Sequence, residues 1–204
     1  LVMNTRKEIF SDWRVRQALI EAFNFEYINE AQNAGRQQRI TSYFSNSILG
    51  MREGAAKNSV LELLQNSDET QLPGTYEGYK LPKSNGSERN RANMKKALKN
   101  FNDAGFKVVE GKLQDNQGRQ FKFSILLRQG AKEYLSIVEM YSSALQRLGI
   151  DVQIELVDSS QYWERIKTLE FDMAPYARDL SLSPGNEQYL YWSSEYADVE
   201  GTRN

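Results

Sequence analysis

The sequence predicts an α/β fold in which a mixed sheet is flanked by helices. Several segments place apolar residues at helical spacing, and the short runs between them alternate apolar and polar residues in the manner of strands. Glycine-containing turns separate the two kinds of segment. Strands that alternate with helices imply crossover connections and a largely covered sheet. The predicted order of elements is β-α-loop-α-β-β-β-α-β-α-β.

The chain opens with an extended segment, Leu1–Arg6, which leads into an amphipathic helix. Ser11 or Asp12 is the expected N-cap, because short polar side chains accept hydrogen bonds from the first amides of a helix. The apolar face of this helix consists of Val15, Ala18, Leu19, Ala22 and Phe23. We expect the chain to be an incomplete piece of a longer protein, because it begins inside this apparent strand and ends without a terminating element.

The next part of the chain is predicted to be mostly irregular. Residues 41–47 form a polar loop with two aromatics, and Ser59–Leu64 forms a short helix. This helix is expected to bury Val60, Leu61 and Leu64. Residues 66–90 contain several Pro and Gly residues and are predicted to form a long surface loop within a single lobe that spans residues 1–204.

The second half has clearer periodicity. Gly105 and Gly149 are expected to end its two strongest helices, and the last strand but one is expected to be half-buried, with Val152, Ile154 and Leu156 on its buried side. The predicted helices are one with Met94, Ala97, Leu98, Phe101 and Ala104 on its face, Glu133–Leu148, and Gln161–Leu169 capped by Ser159 or Ser160. The predicted strands are Phe106–Val109, a strand at Leu113, Phe121–Leu127, Asp151–Val157 and Phe171–Ala177.

Composition excludes several functional classes. The 204 residues carry 26 basic and 27 acidic side chains, without the basic excess that a nucleic-acid-binding protein normally has. Cysteine and histidine are both absent, which removes disulfides, thiolate nucleophiles, the usual hydrolase triad and the usual transition-metal ligands. No stretch approaches the roughly 18 consecutive apolar residues of a membrane span. We predict no cofactor and no metal.

The segment after the last predicted strand carries the strongest chemical signal. Ligands in open α/β sheets bind beyond the carboxyl ends of strands, and this loop places an aromatic ring, a guanidinium and a carboxylate close together. Such groups can contact the apolar, carboxylate and ammonium parts of a peptide backbone. The predicted ligand-binding residues are Tyr176, Arg178, Asp179, Ser181 and Ser183. The simpler alternative is an ordinary loop whose Asp and Ser side chains satisfy local backbone groups.

Three further residues are candidates for the same cleft. Arg128 follows the Phe121–Leu127 strand, and Tyr43 and Asn46 lie in the loop at residues 41–47. Each has a simpler interpretation, as a solvated strand-end charge or as a side chain packed under its own loop. Two functions of other classes also remain open. One is a carboxylate-dependent hydrolase using Asp172, Asp179 or Glu187, which needs two carboxylates in one cleft, and the other is an interaction module without a small ligand.

The sequences of several stretches resemble those of one protein family. An N-T-R strand followed by F-S-D-W-R-V-R-Q-A-L, from Asn4 to Leu19, is similar to the start of the second lobe of bacterial extracellular solute-binding proteins of family 5, the peptide/nickel-type receptors of ABC transporters. The stretches TSYFSNS, SERNRANMKKAL, GKLQDNQGRQFKFSILL and SLSPGNEQ resemble the YejA-like branch, which is associated with peptides and peptide-like compounds.

The resemblance implies a fold, a function and a partner. The fold would be the second lobe of a type II (cluster C) periplasmic binding protein, incomplete here and joined to a missing N-terminal lobe. The function would be to bind an oligopeptide or peptide-like compound between two lobes and deliver it to an ABC permease in the inner membrane, without catalysis. The protein would be periplasmic, or lipid-anchored on the outer face of the membrane. In peptide-binding members, the loop after an F-D-M strand supplies an aspartate for the ligand's amino terminus, a position that Asp179 or Ser181 would occupy here.

Overall fold

The structure is a computed structural model that describes residues 1–67, 71–197, 199 and 201–202. The chain forms two compact units. One combines Leu1–Gln37 with Lys83–Asn204, and the other is Gln38–Pro82. The first unit contains the predicted α/β fold, so the mixed sheet with flanking helices is confirmed.

A four-stranded mixed sheet organises the first unit. Its order is β1-β6-β4-β5, with β4 parallel to both of its neighbours and β1 antiparallel to β6. A separate antiparallel hairpin pairs β2 with β3. The strands are β1 (Val2–Met3), β2 (Lys107–Val109), β3 (Lys112–Gln114), β4 (Lys122–Arg128), β5 (Asp151–Val157) and β6 (Met173–Ala174).

Helices cover both faces of this sheet. The main core lies between one face and α1, α4 and α5, and it includes Phe10, Leu19, Phe101, Ile125 and Leu145. A smaller core lies on the other face under α6 and includes Leu126, Tyr162 and Phe171. The helices are α1 (Trp13–Ala22), α2 (Phe25–Asn33), α3 (Asn58–Gln65), α4 (Arg91–Asp103), α5 (Lys132–Gln146), α6 (Ser159–Lys167) and α7 (Glu187–Trp192). Within the described ranges, none of them has both the length and the apolar character needed to cross a bilayer.

The first helix begins as predicted, and a second helix follows that the periodicity did not separate from it. Asp12 is the N-cap of α1, since its carboxylate accepts a 2.8 Å hydrogen bond from the amide of Arg14. The helix ends at Ala22, and Asn24 caps α2 by accepting from the amide of Tyr27. Because apolar residues continue through this break, the sequence pattern did not reveal α2.

Three predicted features of the last β-α-β segment are wrong. The N-cap of α6 is Asp158, not Ser159 or Ser160, because its carboxylate accepts from two successive amides of the first turn. Leu156 is 47% exposed because β5 is an outer strand of the sheet. The last strand contains only Met173–Ala174 rather than residues 171–177, since the next residue, Pro175, has no amide hydrogen to donate to a neighbouring strand.

The hairpin packs against the turn that ends α5. Gly149 has φ +83°, and a Cβ atom there would lie 2.6 Å from the carbonyl oxygen of Gly111 and from the amide nitrogen of Leu113. The Leu113 amide donates a 2.9 Å hydrogen bond to the carbonyl of Gly149. This close approach requires glycine, which adds a packing reason to its predicted role as a helix stop.

The second unit, Gln38–Pro82, contains α3 and turns. The prediction that α3 buries Val60 is wrong, since that side chain is 57% exposed, while Leu61 and Leu64 are half-buried. Residues 68–70 of the predicted surface loop at 66–90 lie outside the described residues, and its other positions contain no helix or strand.

Candidate ligand-binding site

The parallel strands of the sheet bring several predicted residues to one edge. Arg128, the last residue of β4, lies opposite Val157, the last residue of β5. The third parallel strand, β6, has Met173 opposite Ile125, ends at Ala174 and continues in the same direction into the loop that starts at Pro175. The carboxyl ends of β4, β5 and β6 therefore face the same side of the unit, which is where open α/β sheets bind ligands.

The guanidinium of Arg178 is held by two tyrosines. Its Nε donates a 2.8 Å hydrogen bond to the hydroxyl of Tyr176, and its Cζ lies 3.4 Å from the ring centroid of Tyr191. Stacking on an aromatic ring fixes the plane of a guanidinium, and Nη2 of Arg178 also donates to the hydroxyl of Tyr176. The structure thus joins Tyr176 and Arg178, both predicted from sequence, to Tyr191, which was missed because α7 was not predicted.

The residues after Arg178 form an open turn. Asp179 and Ser181 are exposed, and the hydroxyl oxygen of Ser181 accepts a 3.0 Å hydrogen bond from the amide of Ser183. Asp179 and Ser181, the two alternatives for an amino-terminus contact, therefore lie two residues apart on the same exposed segment. The serine contact is a local turn, as the simpler interpretation of this loop expects.

A buried tyrosine from α6 supports the start of this loop. Tyr162 is 7% exposed, and its hydroxyl donates a 3.2 Å hydrogen bond to the carbonyl of Pro175. Burial raises the pKa of Tyr162, with a smaller contribution in the same direction from Tyr134 and an opposing one from Arg128. Sequence reasoning missed both tyrosines, although each follows a strand's carboxyl end within six residues.

A cavity of about 210 Å³ lies beside Tyr176. Apolar side chains from the end of α6 and from Phe171 form part of its wall, and the extended segment at the start of the chain forms another part. The residues that line it are Val2, Met3, Asn4, Thr5, Arg6, Ile166, Leu169, Phe171, Pro175 and Tyr176. A cavity of this size could hold a small apolar group.

Asp172 has a structural role at the start of β6. Its Oδ2 accepts hydrogen bonds from the amide (2.9 Å) and the hydroxyl (3.3 Å) of Ser124, and its carbonyl accepts from the amide of Asn4 at 2.8 Å. The carboxylate therefore takes the place of a main-chain acceptor for the amide of Ser124, one residue before β6 begins to pair with β4. Asp172 lies before β6 (Met173–Ala174), whereas the loop that carries Arg178 and Asp179 follows β6, so the two are at opposite ends of the strand.

The other acidic candidate, Glu187, is also engaged locally. Its carboxylate accepts a 2.9 Å hydrogen bond from the amide of Gly185, and that bond is the main cause of the lowered pKa of Glu187. A lowered pKa keeps the group ionised, which is the opposite of what a general acid needs. In the described part of the chain, no group of three or more acidic side chains is arranged to hold a metal ion.

Tyr43 and Asn46 belong to the Gln38–Pro82 unit. The ring of Tyr43 contacts that of Phe44 edge to face, with centroids 4.8 Å apart. Asn46 has φ +64°, a left-handed conformation that asparagine tolerates better than most residues. The ring contact of Tyr43 and the backbone conformation of Asn46 both concern the Gln38–Pro82 unit alone.

Comparison with known proteins identifies the class and then the family. The fold matches solved periplasmic binding proteins of type II over one lobe. One is the oligopeptide-binding protein AppA from Bacillus subtilis, solved in complex with a nonapeptide, with a TM-score of 0.65 and 23% identity over 98% of this chain and 33% of that one. Residues 1–199 match the family described as bacterial extracellular solute-binding proteins, family 5 Middle, and the chain belongs to that family.

Three curated relatives cover the whole chain. A putative binding protein of Brucella melitensis is 39% identical over 207 residues. Two proteins of Agrobacterium fabrum, the peptidoglycan-binding protein YepA and the probable peptide-binding protein YejA, are 35% and 32% identical. The predicted resemblance to the YejA-like branch is thereby confirmed. The chain spans about a third (33%) of the length of each of these relatives.

Proposed function

We propose that this chain is most of the second lobe of a two-lobe solute receptor, and that the full protein binds oligopeptides or peptide-like compounds for an ABC importer. The main support for the proposal is the position of Arg178 beyond the carboxyl ends of the parallel strands, where Tyr176 and Tyr191 fix its guanidinium. The next residue, Asp179, places an exposed carboxylate beside it in the sequence. Membership of solute-binding family 5 supports it.

The chemistry of this edge suits a peptide main chain. The positive charge of Arg178 suits the carboxylate or the carbonyl groups of a peptide, while Asp179 or Ser181 can accept from an amino terminus. Tyrosine rings offer flat apolar contact to side chains without selecting one of them. Hydrated side pockets and main-chain hydrogen bonds would then permit binding of many sequences.

The names of two relatives restrict the class of ligand that we propose for the full protein. One Agrobacterium fabrum relative is a probable peptide-binding protein and the other a peptidoglycan-binding protein. Peptidoglycan contains short peptides, so a peptide main chain is the chemistry common to both. We therefore place short peptides, free or derived from peptidoglycan, ahead of sugars, amino acids and metal complexes.

Binding would work by closure of two lobes around the ligand. A ligand that contacts both lobes only in the closed form shifts the population toward that form. The N-terminal lobe of the same polypeptide would supply the other half of the contacts, and a permease in the inner membrane would receive the ligand. The protein would act in the periplasm or on the outer face of the membrane. No covalent step is required, and Asp172 and Glu187 are already engaged with main-chain amides.

The test is a thermal-shift titration of the full-length protein with pools of short peptides, peptidoglycan stem peptides, sugars and amino acids. A ligand at a hundred times its Kd adds about 2.7 kcal/mol of stability, so binding raises the midpoint measurably. We expect a shift with one or both peptide pools, reduced by Asp179→Asn or by Ser181→Ala. The exposed Glu30 on α2 supplies the matched control, Glu30→Gln. No shift with any pool would favour an interaction module instead.

A further inference from the structure

The sequence contains a single Asn-Gly pair, Asn85–Gly86, in the segment that leads into α4. Asparagine is chemically the less durable partner of such a pair. Glycine has no side chain to shield its main-chain nitrogen, so this nitrogen can approach the side-chain carbonyl of the preceding asparagine closely. The pair and its hydrogen-bond partners all belong to the first compact unit.

The side chain of Asn85 is folded back over the peptide group that follows it. Its Oδ1 accepts a 3.1 Å hydrogen bond from the amide of Ser87. An asparagine bonded in this way to the main chain two residues on forms an Asx turn. The ring that this bond closes includes the main-chain nitrogen of Gly86, so the side-chain carbonyl carbon of Asn85 is held beside that nitrogen. Gly86 has φ +75°, a conformation that favours glycine.

The same carbonyl oxygen has a second donor. The hydroxyl of Ser87 donates a 2.7 Å hydrogen bond to Oδ1 of Asn85, in addition to the bond from the Ser87 amide. When a nucleophile adds to a carbonyl carbon, negative charge develops on the oxygen, and donors already directed at that oxygen stabilise it. A nucleophile held next to the carbonyl within one chain also avoids the entropic cost of an encounter. Both conditions favour attack by Gly86.

We propose that this native turn promotes the deamidation of Asn85. The main-chain nitrogen of Gly86 loses its proton to solvent base and forms a bond to Cγ of Asn85. The bond between Cγ and Nδ2 breaks, and Nδ2 leaves as ammonia with a proton taken from water. Water then opens the resulting cyclic imide at either of its two carbonyl carbons, which gives an aspartate or an isoaspartate. The net reaction consumes water and releases ammonia, and it adds a negative charge to the turn.

The two products should affect the fold differently, because the turn supports the start of α2. The hydroxyl of Ser84 donates a 2.6 Å hydrogen bond to Asn24, the N-cap of α2, and accepts one of 3.0 Å from the amide of Gly86. The side-chain amide of Asn24 donates a 2.7 Å hydrogen bond to the carbonyl of Ser87. An aspartate keeps the acceptor of the turn. An isoaspartate carries the main chain through its side-chain carbon, which lengthens the turn and displaces these partners.

The experiment is incubation of the full-length protein at several values between pH 7 and 9, folded and in urea, followed by peptide mapping with detection of isoaspartate. We expect Asn85 to convert in the folded protein at least as fast as in urea, and faster at higher pH because Gly86 must lose a proton. Asn116, in a turn before Gln117, is the internal control and should convert several-fold more slowly than Asn85. Slower conversion of Asn85 in the folded protein than in urea would overturn the proposal.

Variants of Ser87 test the contribution of the hydroxyl donor. Ser87→Ala removes this donor and should slow the conversion of Asn85 several-fold in the folded protein, with no change in urea. Ser87→Thr keeps a hydroxyl and should retain most of the rate. Equal folded-state rates for Ser87→Ala and wild type would contradict the role of the Ser87 hydroxyl in the reaction.

The thermal midpoints of the two products test their structural effect. Asn85→Asp provides the aspartate form directly and should unfold close to wild type. The isoaspartate form, separated by chromatography from incubated protein, should unfold several degrees lower. Equal midpoints for the two forms would contradict the support that this turn gives to α2.

Discussion

Replacing Tyr141 by phenylalanine tests how the end of α1 is fixed to α5. The buried hydroxyl of Tyr141 donates a 2.8 Å hydrogen bond to the carbonyl of Leu19. In a continuous helix the amide of Phe23 would bond that carbonyl, but it donates to Ile20 instead because the helix ends there. The hydroxyl therefore satisfies one of the carbonyls that every helix leaves unpaired at its C-terminus.

The structure sets the size of the effect. Tyr141→Phe keeps the ring, and with it the edge-to-face contact with Phe23 at 5.2 Å between centroids, so no cavity forms. What is lost is one hydrogen bond, and a buried acceptor is left without a partner. We expect the free energy of unfolding at pH 7 to fall by about 1–3 kcal/mol.

The same substitution should also change how the free energy of unfolding depends on pH above about pH 10. Burial raises the pKa of Tyr141 above its usual value of 10.0, so above about pH 10 the unfolded chain releases this proton while the folded chain keeps it. Stability is therefore fully present below pH 10 and falls as pH rises, with a limiting slope of about 1.4 kcal/mol per pH unit. Phenylalanine removes this contribution, so the difference between wild type and variant should shrink above pH 10. The remaining decline includes a contribution from Tyr162, whose pKa burial also raises.

The assay is urea unfolding of the full-length protein at pH 7 and at several values between 9 and 11. Tyr189→Phe is the matched control, since that ring is 65% exposed and should change nothing at pH 7. Equal unfolding free energies for Tyr141→Phe and wild type at pH 7 would refute the assigned role of the hydroxyl. A difference that stays constant through pH 11 would refute the pKa argument alone.

Three further changes test other contacts. Asn4→Ala removes amide bonds to the carbonyls of Leu169 and Phe171 and should lower the unfolding free energy by about 1–3 kcal/mol; an unchanged urea midpoint would contradict this. Asp172→Ala should cost more stability in the same assay than Asp172→Asn, which keeps an acceptor for Ser124, and equal losses would count against that contact. Arg178→Ala should weaken peptide binding by about tenfold or more in calorimetric titration, and unchanged affinity would remove Arg178 from the site.

Much of the fold could be predicted because burial imposes strong periodicity. In α4 the predicted face at Met94, Ala97 and Phe101 is buried as expected, and in α5 Val138 and Leu145 are fully covered. Both helices pack one side against a core, which makes the spacing of their apolar residues informative. The prediction failed where the deciding interaction was a single cap or a partner distant in sequence.

The residues of the candidate site could likewise be predicted only in part from the sequence. A position after a strand is visible in sequence, so Tyr176 and Arg178 could be selected as neighbours. The ring that fixes the guanidinium, Tyr191, lies 13 positions further along, on α7. That helix has only six residues, too few for a helical repeat to stand out. Tyr162 was assigned to a helix, but its contact with Pro175 depends on how α6 crosses the sheet.

The first residues of the chain are tied to the strand that carries the candidate site. The side-chain amide of Asn4 donates to the carbonyls of Leu169 and Phe171, both at 2.9 Å, and its main-chain amide donates to Asp172. In the two-lobe receptor that we propose, Leu1–Arg6 would be the segment that crosses between the lobes, and these bonds would then join that segment to the base of β6. Because β6 then reaches its loop after only two residues, Met173 and Ala174, Arg178 is separated from the crossing segment by a short, hydrogen-bonded path. We therefore expect rotation of the lobe to carry Arg178 as a rigid part of the moving body.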